Sequence, residues 1–163
     1  MSRKESGFHV ILYAPGNGAE RTDGASTAAE LASHGYVALA IDDIDREAKP
    51  ANEGDELSQP LDLNFPTAAA FEKALRIGDR KARRQAERAL LALDALDACA
   101  NAEWRARVRF DNAGFLGFSF GGATAAEALA FDRRVAAAVN LDGWLFGRAH
   151  RRNQQAVHGC SLR

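Results

Sequence analysis

Residues 113–130 read AGFLGFSFGGATAAEALA, and this stretch decides the fold. The apolar run at residues 113–116 predicts a buried strand, and residues 122–130 have the composition of a helix. Between them, residues 117–121 read GFSFG and match the pattern G-x-S-x-G. A strand, a sharp turn and a helix form the context in which this pattern presents a nucleophilic serine, so the match predicts a catalytic turn, a nucleophile elbow.

The spacing of the two outer glycines has a physical reason. A serine on so tight a turn adopts a strained backbone conformation that lifts its hydroxyl clear of the sheet. We expect Gly117 and Gly121 to be required, because larger side chains would collide with the turn. The following helix directs its positive end toward the place where an oxyanion forms. Ser119 is therefore the predicted nucleophile, with a chance match in a chain of 14 glycines as the alternative.

Composition and charge favour a single globular domain. The chain has 163 residues, is 47% hydrophobic and carries a formal net charge of -1, so no charge surplus favours nucleic acid or an anionic membrane. No apolar run is long enough to span a bilayer, and the polar start is not that of a signal peptide. Cys99 and Cys160 have neither disulfide-framework nor metal-site spacing, and we expect Cys99 to be buried and inert. The simplest predicted location is the cytoplasm.

Three more apolar runs predict strands, at residues 8–13, 36–41 and 135–141. Strands that alternate with helices predict an α/β fold, in which helices cover both faces of a mostly parallel sheet. Active sites in such sheets lie at the carboxyl ends of the strands. Each candidate site residue follows the end of a predicted strand, which supports the interpretation independently of the motif.

The segments between the strands carry the helix and loop signals. A helix capped by Thr22 or Asp23 is predicted to end at Gly35. A long helix is predicted over about residues 71–100, with apolar residues along one face. Residues 46–66 contain three prolines and a glycine and predict an exposed loop.

Acyl transfer by a serine also needs an acid that orients the base and donors for the oxyanion. Asp142 lies in NLDGW at residues 140–144, after the strand that follows the serine turn, so it is the predicted acid. A solvated turn aspartate is the alternative. The backbone N–H groups of Phe120 and Asn17 are the predicted oxyanion donors. Asn17 lies in the loop PGNG at residues 15–18, for which an ordinary tight turn is the alternative.

Four stretches are similar to segments of one known family, namely residues 12–18 (LYAPGNG), 31–38 (LASHGYVA), 117–125 (GFSFGGATA) and 140–146 (NLDGWLF). Over about residues 8–147 the chain resembles the platelet-activating factor acetylhydrolase family of α/β-hydrolases. The resemblance implies a partial α/β-hydrolase fold and hydrolysis of short or oxidised acyl esters from glycerol position 2 of phospholipids, without a metal or cofactor. It also implies Ser119 as nucleophile, Asp142 as triad acid, and Asn17 and Phe120 as oxyanion donors.

The chain departs from the family pattern in three places. Phe118 stands where such turns often carry histidine, and the sequence begins directly at a predicted central strand. The chain ends 21 residues after Asp142, whereas the family has its histidine well beyond that point. His150 and His158 keep the chain order serine, acid, histidine, but both are interpreted as solvated tail residues.

The expected organisation is an incomplete α/β-hydrolase core at residues 1–147 followed by a polar tail at residues 148–163. The tail lacks the apolar periodicity of the expected helix and strand, and a truncated or frameshifted gene is the hypothesis that explains it. Without its histidine a serine is a weak nucleophile, so we expect an esterase architecture with feeble activity.

The sequence thus predicts a serine esterase for a phospholipid or another small ester. A general carboxylesterase or lactone hydrolase and a non-catalytic remnant of such an enzyme are the alternatives. Residues 80–84 (RKARR) are predicted to form a solvated helix face and not a nucleic-acid site. For Phe115, core packing is as good an explanation as a place in an acyl pocket. The aromatic candidates for that pocket are Phe115, Phe118, Phe120, Trp144 and Phe146.

Overall fold

Four parallel strands form the sheet of this protein. The computed structural model describes residues 7–42, 56–57, 61–62 and 64–151. Within these residues the strand order is β2-β1-β3-β4, and every neighbouring pair is parallel. The predicted α/β class with a parallel sheet is confirmed. The strands are β1 (Phe8–Ala14), β2 (Val37–Ala40), β3 (Val108–Phe118) and β4 (Val135–Leu141).

Helices connect these strands. The two helices expected before β3 and the one expected after it are present, and a short helix that the sequence analysis did not predict lies directly before β3. Residues 147–151 are also helical, although a polar tail was expected from residue 148. The helices are α1 (Ala25–Ser33), α2 (Ala68–Cys99), α3 (Ala102–Arg107) and α4 (Phe120–Phe131), with a 3-10 turn at Arg21–Gly24.

The start of α1 differs from the prediction that Thr22 or Asp23 caps it. Both residues belong to the 3-10 turn, and the residue that precedes α1 is Gly24. The Asp23 carboxylate instead accepts the backbone N–H of Glu20 at 3.0 Å, so its capping capacity is used one turn earlier. The predicted end is confirmed, because Gly35 adopts a left-handed φ of 85° directly after the helix.

The register of the sheet brings three strand ends to one level. Ala14 at the end of β1 pairs with Gly117 of β3, and Gly117 in turn pairs with Asn140 of β4. The residues that follow these positions therefore emerge side by side at the carboxyl edge of the sheet. This alignment lets segments far apart in sequence form one site.

The predicted cover of both faces is confirmed only in part, because α2 and α4 cover one face, whereas the other leaves Phe118, Val139 and Leu141 about half exposed. On one face, Val10, Leu12 and Phe115 are 0 to 2% exposed and pack against small and apolar residues of α2 and α4. On the other face, Tyr13 contacts Gly24, where an added Cβ atom would overlap the tyrosine ring. Alternate residues of a strand point to opposite faces, so β1 is buried on both sides.

Two expectations about burial are wrong. Cys99 is exposed, because it is the last residue of α2 and lies beyond the part of that helix that packs on the sheet. Lys81 is 1% exposed, although residues 80–84 were expected to form a solvated face. Most of residues 46–66, together with Cys160 and His158, lie outside the described residues. Within the described residues, no helix has both the length and the apolar composition needed to cross a bilayer.

Candidate active site

Ser119 occupies a strained turn between β3 and α4. Its φ of 52° and ψ of −120° lie in a region that non-glycine residues rarely adopt. The predicted sequence of strand, sharp turn and helix is confirmed for residues 117–121, which we call the Ser119 turn. The backbone N–H of Ser119 donates to the carbonyl oxygen of Leu141 at 2.7 Å, so the turn is joined directly to the end of β4.

The outer glycines of the Ser119 turn are sterically required, as predicted. A Cβ atom added at Gly117 would overlap the carbonyl group of Gly121. One added at Gly121 would overlap the carbonyl oxygen of Ala14, at the end of β1. These obstacles are backbone atoms, which cannot rotate away as a side chain can. The turn is therefore packed against itself and against the neighbouring strand.

Asp142 lies on a second strained turn, directly after β4. Its φ is 58°, and Ser119 and Asp142 are the two non-glycine residues with positive φ in the part of the chain that the structure describes. We call residues 140–143 the Asp142 turn. The Asn140 side chain closes it, since Nδ2 donates to the carbonyl oxygen of Gly143 at 2.9 Å and Oδ1 accepts the Gly143 N–H at 2.8 Å.

The loop after β1 lies opposite the Ser119 turn. The N–H of Ala19 donates to the Gly16 carbonyl oxygen at 3.1 Å, and Gly18 has a φ of 74°, as expected of the third residue of a type II turn. A Cβ atom added at Gly16 would lie 3.5 Å from the Cβ atom of Ser119. The loop therefore lies beside the serine, and Asn17 is the next residue along it.

All four predicted site residues line one cavity of about 280 Å³. Phe120 is the first residue of α4, so its N–H has no acceptor within the helix and lies at the positive end of the helix dipole. The rest of the lining is apolar, with one half-exposed indole among it. The full lining is Asn17, Leu61, Ser119, Phe120, Asp142, Trp144 and Phe146.

The aromatic candidates for an acyl pocket divide into two groups. Phe120, Trp144 and Phe146 line the cavity. Phe115 is 2% exposed and belongs to the core, while Phe118 is 50% exposed and does not line the cavity. Strand alternation explains the difference, because residues 115 and 118 of β3 point to opposite faces of the sheet.

Several residues around the cavity carry no recognisable signal in the sequence. Leu61 lines it, and Phe65 stacks on Trp144 with ring centroids 5.6 Å apart. Phe71, near the start of α2, packs edge to face against both rings, with its centroid 5.4 Å from that of Phe65 and 6.4 Å from that of Trp144. No local periodicity marks these residues, because they approach the site only through tertiary packing.

No described histidine lines the cavity. His150 lies in the helical residues 147–151, where its N–H donates to the carbonyl oxygen of Phe146 at 3.2 Å. The Nδ1 atom of His9 lies 3.0 Å from the carbonyl oxygen of Asn112, and His34 lies beside Glu30 at the end of α1. His158, the fourth histidine, lies outside the described residues. Of the two histidines that follow Asp142 in the chain, His150 is described, and it does not line the cavity that contains Ser119.

One polar feature of the site, the side chain of Asn17, was not predicted. The Oδ1 atom of Asn17 is buried and has no hydrogen-bond partner among the described residues. A buried acceptor without a partner costs about 1–3 kcal/mol, so this side chain is held at some expense of stability. Among the described residues, no group of three or more His, Cys, Asp or Glu side chains is placed to hold a metal ion.

A parallel sheet with a serine on a strained strand-to-helix turn at its carboxyl edge defines a protein of the α/β-hydrolase class. The comparison with known families is more specific. A model of the family described as "Platelet-activating factor acetylhydrolase, isoform II" matches residues 1–159. The chain belongs to this family. The match extends past residue 147, and so includes most of the predicted polar tail.

Two curated relatives agree with the family assignment. The chain is 25% identical over 158 residues to a Bos taurus protein named "Platelet-activating factor acetylhydrolase", with 85% of this chain and 36% of the relative covered. It is 26% identical over 145 residues to a "Probable 1-alkyl-2-acetylglycerophosphocholine esterase" of Arthroderma benhamiae, with 88% and 33% covered. The chain spans about a third of the length of the curated relatives it matches.

Proposed function

We propose that this chain is a serine ester hydrolase that acts on short acyl esters of phospholipids, with Ser119 as its nucleophile. One observation carries the proposal. Ser119, Asp142 and the loop of Asn17 come from three separate strand ends, yet they line one cavity next to apolar side chains. Strained backbone at two of these three positions supports a functional origin, because such conformations concentrate at active sites.

In the proposed mechanism the Ser119 Oγ attacks the ester carbonyl carbon. The carbonyl π electrons move to oxygen, and the resulting oxyanion accepts hydrogen bonds from the N–H groups of Asn17 and Phe120. Collapse expels the alcohol, which takes a proton, and leaves an acyl-serine that water hydrolyses by the same route. Asp142 is proposed to orient and stabilise the imidazole of a complete triad, which would accept the serine proton and return it to the leaving alcohol. Because no described histidine lines this cavity, a water molecule is proposed to carry that proton here.

The proton acceptor sets the expected rate. No described histidine lines the cavity, so the rate of Ser119 attack in this chain depends on the oxyanion donors and substrate binding. Loss of a triad base costs on the order of 10⁶ in turnover, and the remaining features give about 10³ to 10⁴ over water. We therefore expect slow ester hydrolysis.

The substrate class follows from the cavity and from the relatives' names. A cavity of about 280 Å³ lined by Leu61, Phe120 and Phe146 suits a short apolar acyl group. The bovine relative is named an acetylhydrolase and the fungal one a probable esterase of 1-alkyl-2-acetylglycerophosphocholine. We transfer that substrate class to this chain as part of the proposal. The cytoplasmic location stays a prediction of the sequence.

A non-catalytic remnant is the second candidate, and the cavity without a described histidine favours it. The decisive test combines covalent labelling with turnover. A fluorophosphonate should modify Ser119 slowly, with peptide mass spectrometry locating the label, and Ser119→Ala should lose both the label and at least about tenfold of the ester turnover. Equal turnover by the wild type and Ser119→Ala would establish the remnant.

Substrate competition separates the remaining alternatives. We expect 1-alkyl-2-acetylglycerophosphocholine to be hydrolysed with a higher kcat/KM than p-nitrophenyl acetate or a small lactone. The opposite order, with Ser119→Ala inactive on all three, would indicate a general carboxylesterase or lactone hydrolase on the same site.

A further inference from the structure

We propose that Asn140 is a positioning residue that holds Asp142 against the Ser119 turn, and that Gly122 is a glycine because Asn140 needs its space. Asn140 is the last but one residue of β4 and lies two positions before Asp142. The inference rests on the proposed function for its role in the reaction. Its structural part, the fixing of the Asp142 turn, stands on the contacts alone.

The Asn140 carboxamide uses both of its ends within the Asp142 turn. Its Nδ2 and Oδ1 atoms bond the C=O and N–H of Gly143, at 2.9 and 2.8 Å, in place of a backbone partner. Asp142 lies between the two joined residues and has a φ of 58°. A left-handed conformation is unfavourable for a non-glycine residue, and the two hydrogen bonds offset that cost.

Gly122 lies on the other side of the same carboxamide. A Cβ atom added there would overlap the Oδ1 atom of Asn140 and lie 2.9 Å from its Cγ atom. The nearest backbone atom, the carbonyl oxygen of Gly117, would be 3.0 Å away, which is tight but less severe. The first turn of α4 therefore packs directly on Asn140. This contact explains the last glycine in the sequence GFSFGG, which the G-x-S-x-G pattern does not require.

The two strained turns also meet directly. A Cβ atom added at Gly143 would overlap the carbonyl oxygen of Ser119 and lie 2.5 Å from Asn140 Oδ1. Asn140 thus touches the nucleophile's helix at Gly122 and the acid's turn at Gly143. Because both of its polar groups are occupied, Asn140 acts through Asp142 and not on the substrate.

The segment that begins at residue 147, beyond the Asp142 turn, is held by other side chains. One of them provides a matched control. The buried Glu127 carboxylate accepts the N–H groups of Arg148 and Ala149 at 2.7 and 3.2 Å. Asp79 accepts the N–H of Gly147 at 2.5 Å. Glu127 supports the loop after residue 146 without touching the Asp142 turn. A change there should alter stability but not the conformation of Asp142.

Nuclear magnetic resonance tests the structural part without any need for turnover. Asn140→Ala should change the three-bond HN–Hα coupling of Asp142, which reports φ, and speed amide exchange of Gly143 at least about tenfold. Glu127→Gln should leave both unchanged. If Asn140→Ala does not fold, Asn140→Asp keeps the size and one acceptor but loses the donor. Unchanged coupling and exchange in the Asn140 variants would overturn the proposal.

A double-mutant cycle tests the contact between Gly122 and Asn140. Gly122→Ala should lower the thermal midpoint of the wild type by about 5 °C. In the Asn140→Ala background the same change should lower it by less than half as much, because the obstructing side chain is gone. Equal effects in the two backgrounds would show that Gly122 is a glycine for another reason.

The acylation rate tests the role in the reaction. Asn140→Ala should slow single-turnover acylation of Ser119 by p-nitrophenyl acetate about 10- to 100-fold, with the half-saturating ester concentration changed less than about threefold. The reason is that a displaced Asp142 turn no longer packs against the Ser119 carbonyl, so that the serine and the neighbouring N–H of Phe120 are misplaced. Glu127→Gln should acylate at the wild-type rate. A wild-type rate in Asn140→Ala, with the Asp142 coupling changed, would refute the positioning role. Absence of Ser119-dependent acylation in the wild type would instead refute the proposed function. The magnetic resonance measurements and the double-mutant cycle would then still decide whether Asn140 holds Asp142.

Discussion

The Ser119 turn and the Asp142 turn both hold a residue in a strained backbone conformation, but different interactions stabilise that conformation in each. Each holds a non-glycine residue at a positive φ, 52° for Ser119 and 58° for Asp142. Around Ser119 the strain is supported by close backbone packing that leaves no space for a Cβ atom at Gly117 or Gly121. Around Asp142 it is supported by two hydrogen bonds from the side chain of Asn140.

This difference explains why one turn is easy to recognise from sequence and the other is not. Close backbone packing admits only glycine, so it leaves a fixed pattern of residues at short spacing. A hydrogen-bonded side chain can in principle be replaced by another polar group or by water, and it leaves no comparable pattern. The two turns should also respond differently to substitution and to pH.

The largest effect should come from Gly121→Ala in the Ser119 turn. The new Cβ atom would meet the backbone of Ala14, so we expect a loss of about 3 kcal/mol or more in the free energy of unfolding, measured by urea denaturation. Gly18→Ala is the matched control, because no atom lies within 4 Å of its added Cβ and only its φ of 74° opposes the change. It should lose about 1–2 kcal/mol. Equal losses at both positions would mean that backbone packing does not distinguish the Ser119 turn.

A smaller, pH-dependent effect is expected on the side of the Asp142 turn. The turn that leads into β4 contains an ion pair between Asp132 and Arg134, and hydrogen bonds from the Arg134 side chain and backbone lower the pKa of Asp132. A lowered carboxyl pKa stabilises the fold when the group is ionised, and this contribution is lost as the pH falls through the folded-state pKa. Asp132→Asn should therefore lower the free energy of unfolding by about 1 kcal/mol at pH 7. At pH values far below ~3.9 the loss should be much smaller.

Urea denaturation at several pH values measures this effect. Asp111→Asn is the control, since it removes the same charge from an exposed position of β3. We expect its free energy of unfolding to stay near that of the wild type at every pH. A loss in Asp132→Asn that stays constant down to acid pH would show that packing, and not the ion pair, anchors β4.

The smallest effect should come from the loop that faces both turns. Asn17→Ala removes a buried acceptor that has no partner among the described residues, so we expect a gain of up to about 1 kcal/mol in the free energy of unfolding. A loss on the same urea assay would mean that the Asn17 side chain supports the loop in a way that its contacts do not reveal.

Much of the site followed from sequence because it depends on neighbouring residues. The strand, turn and helix around Ser119 need only apolar residues, glycines and helix formers in order, and all three are confirmed. The cap of α1 was assigned wrongly, because Asp23 bonds to Glu20 within a 3-10 turn that helix signals do not distinguish. Cys99 was assigned wrongly because an alanine-rich composition does not indicate where a helix passes the end of the core.

The sequence by itself determined the parallel α/β architecture and the strained serine, because these follow from short-range sterics and from the alternation of strands with helices. Only the tertiary structure decided that Leu61 joins the cavity and that Asn140 meets Gly122. These residues come from segments far apart in the chain. They are brought together by strand register and helix packing, which depend on the whole fold and not on any local pattern.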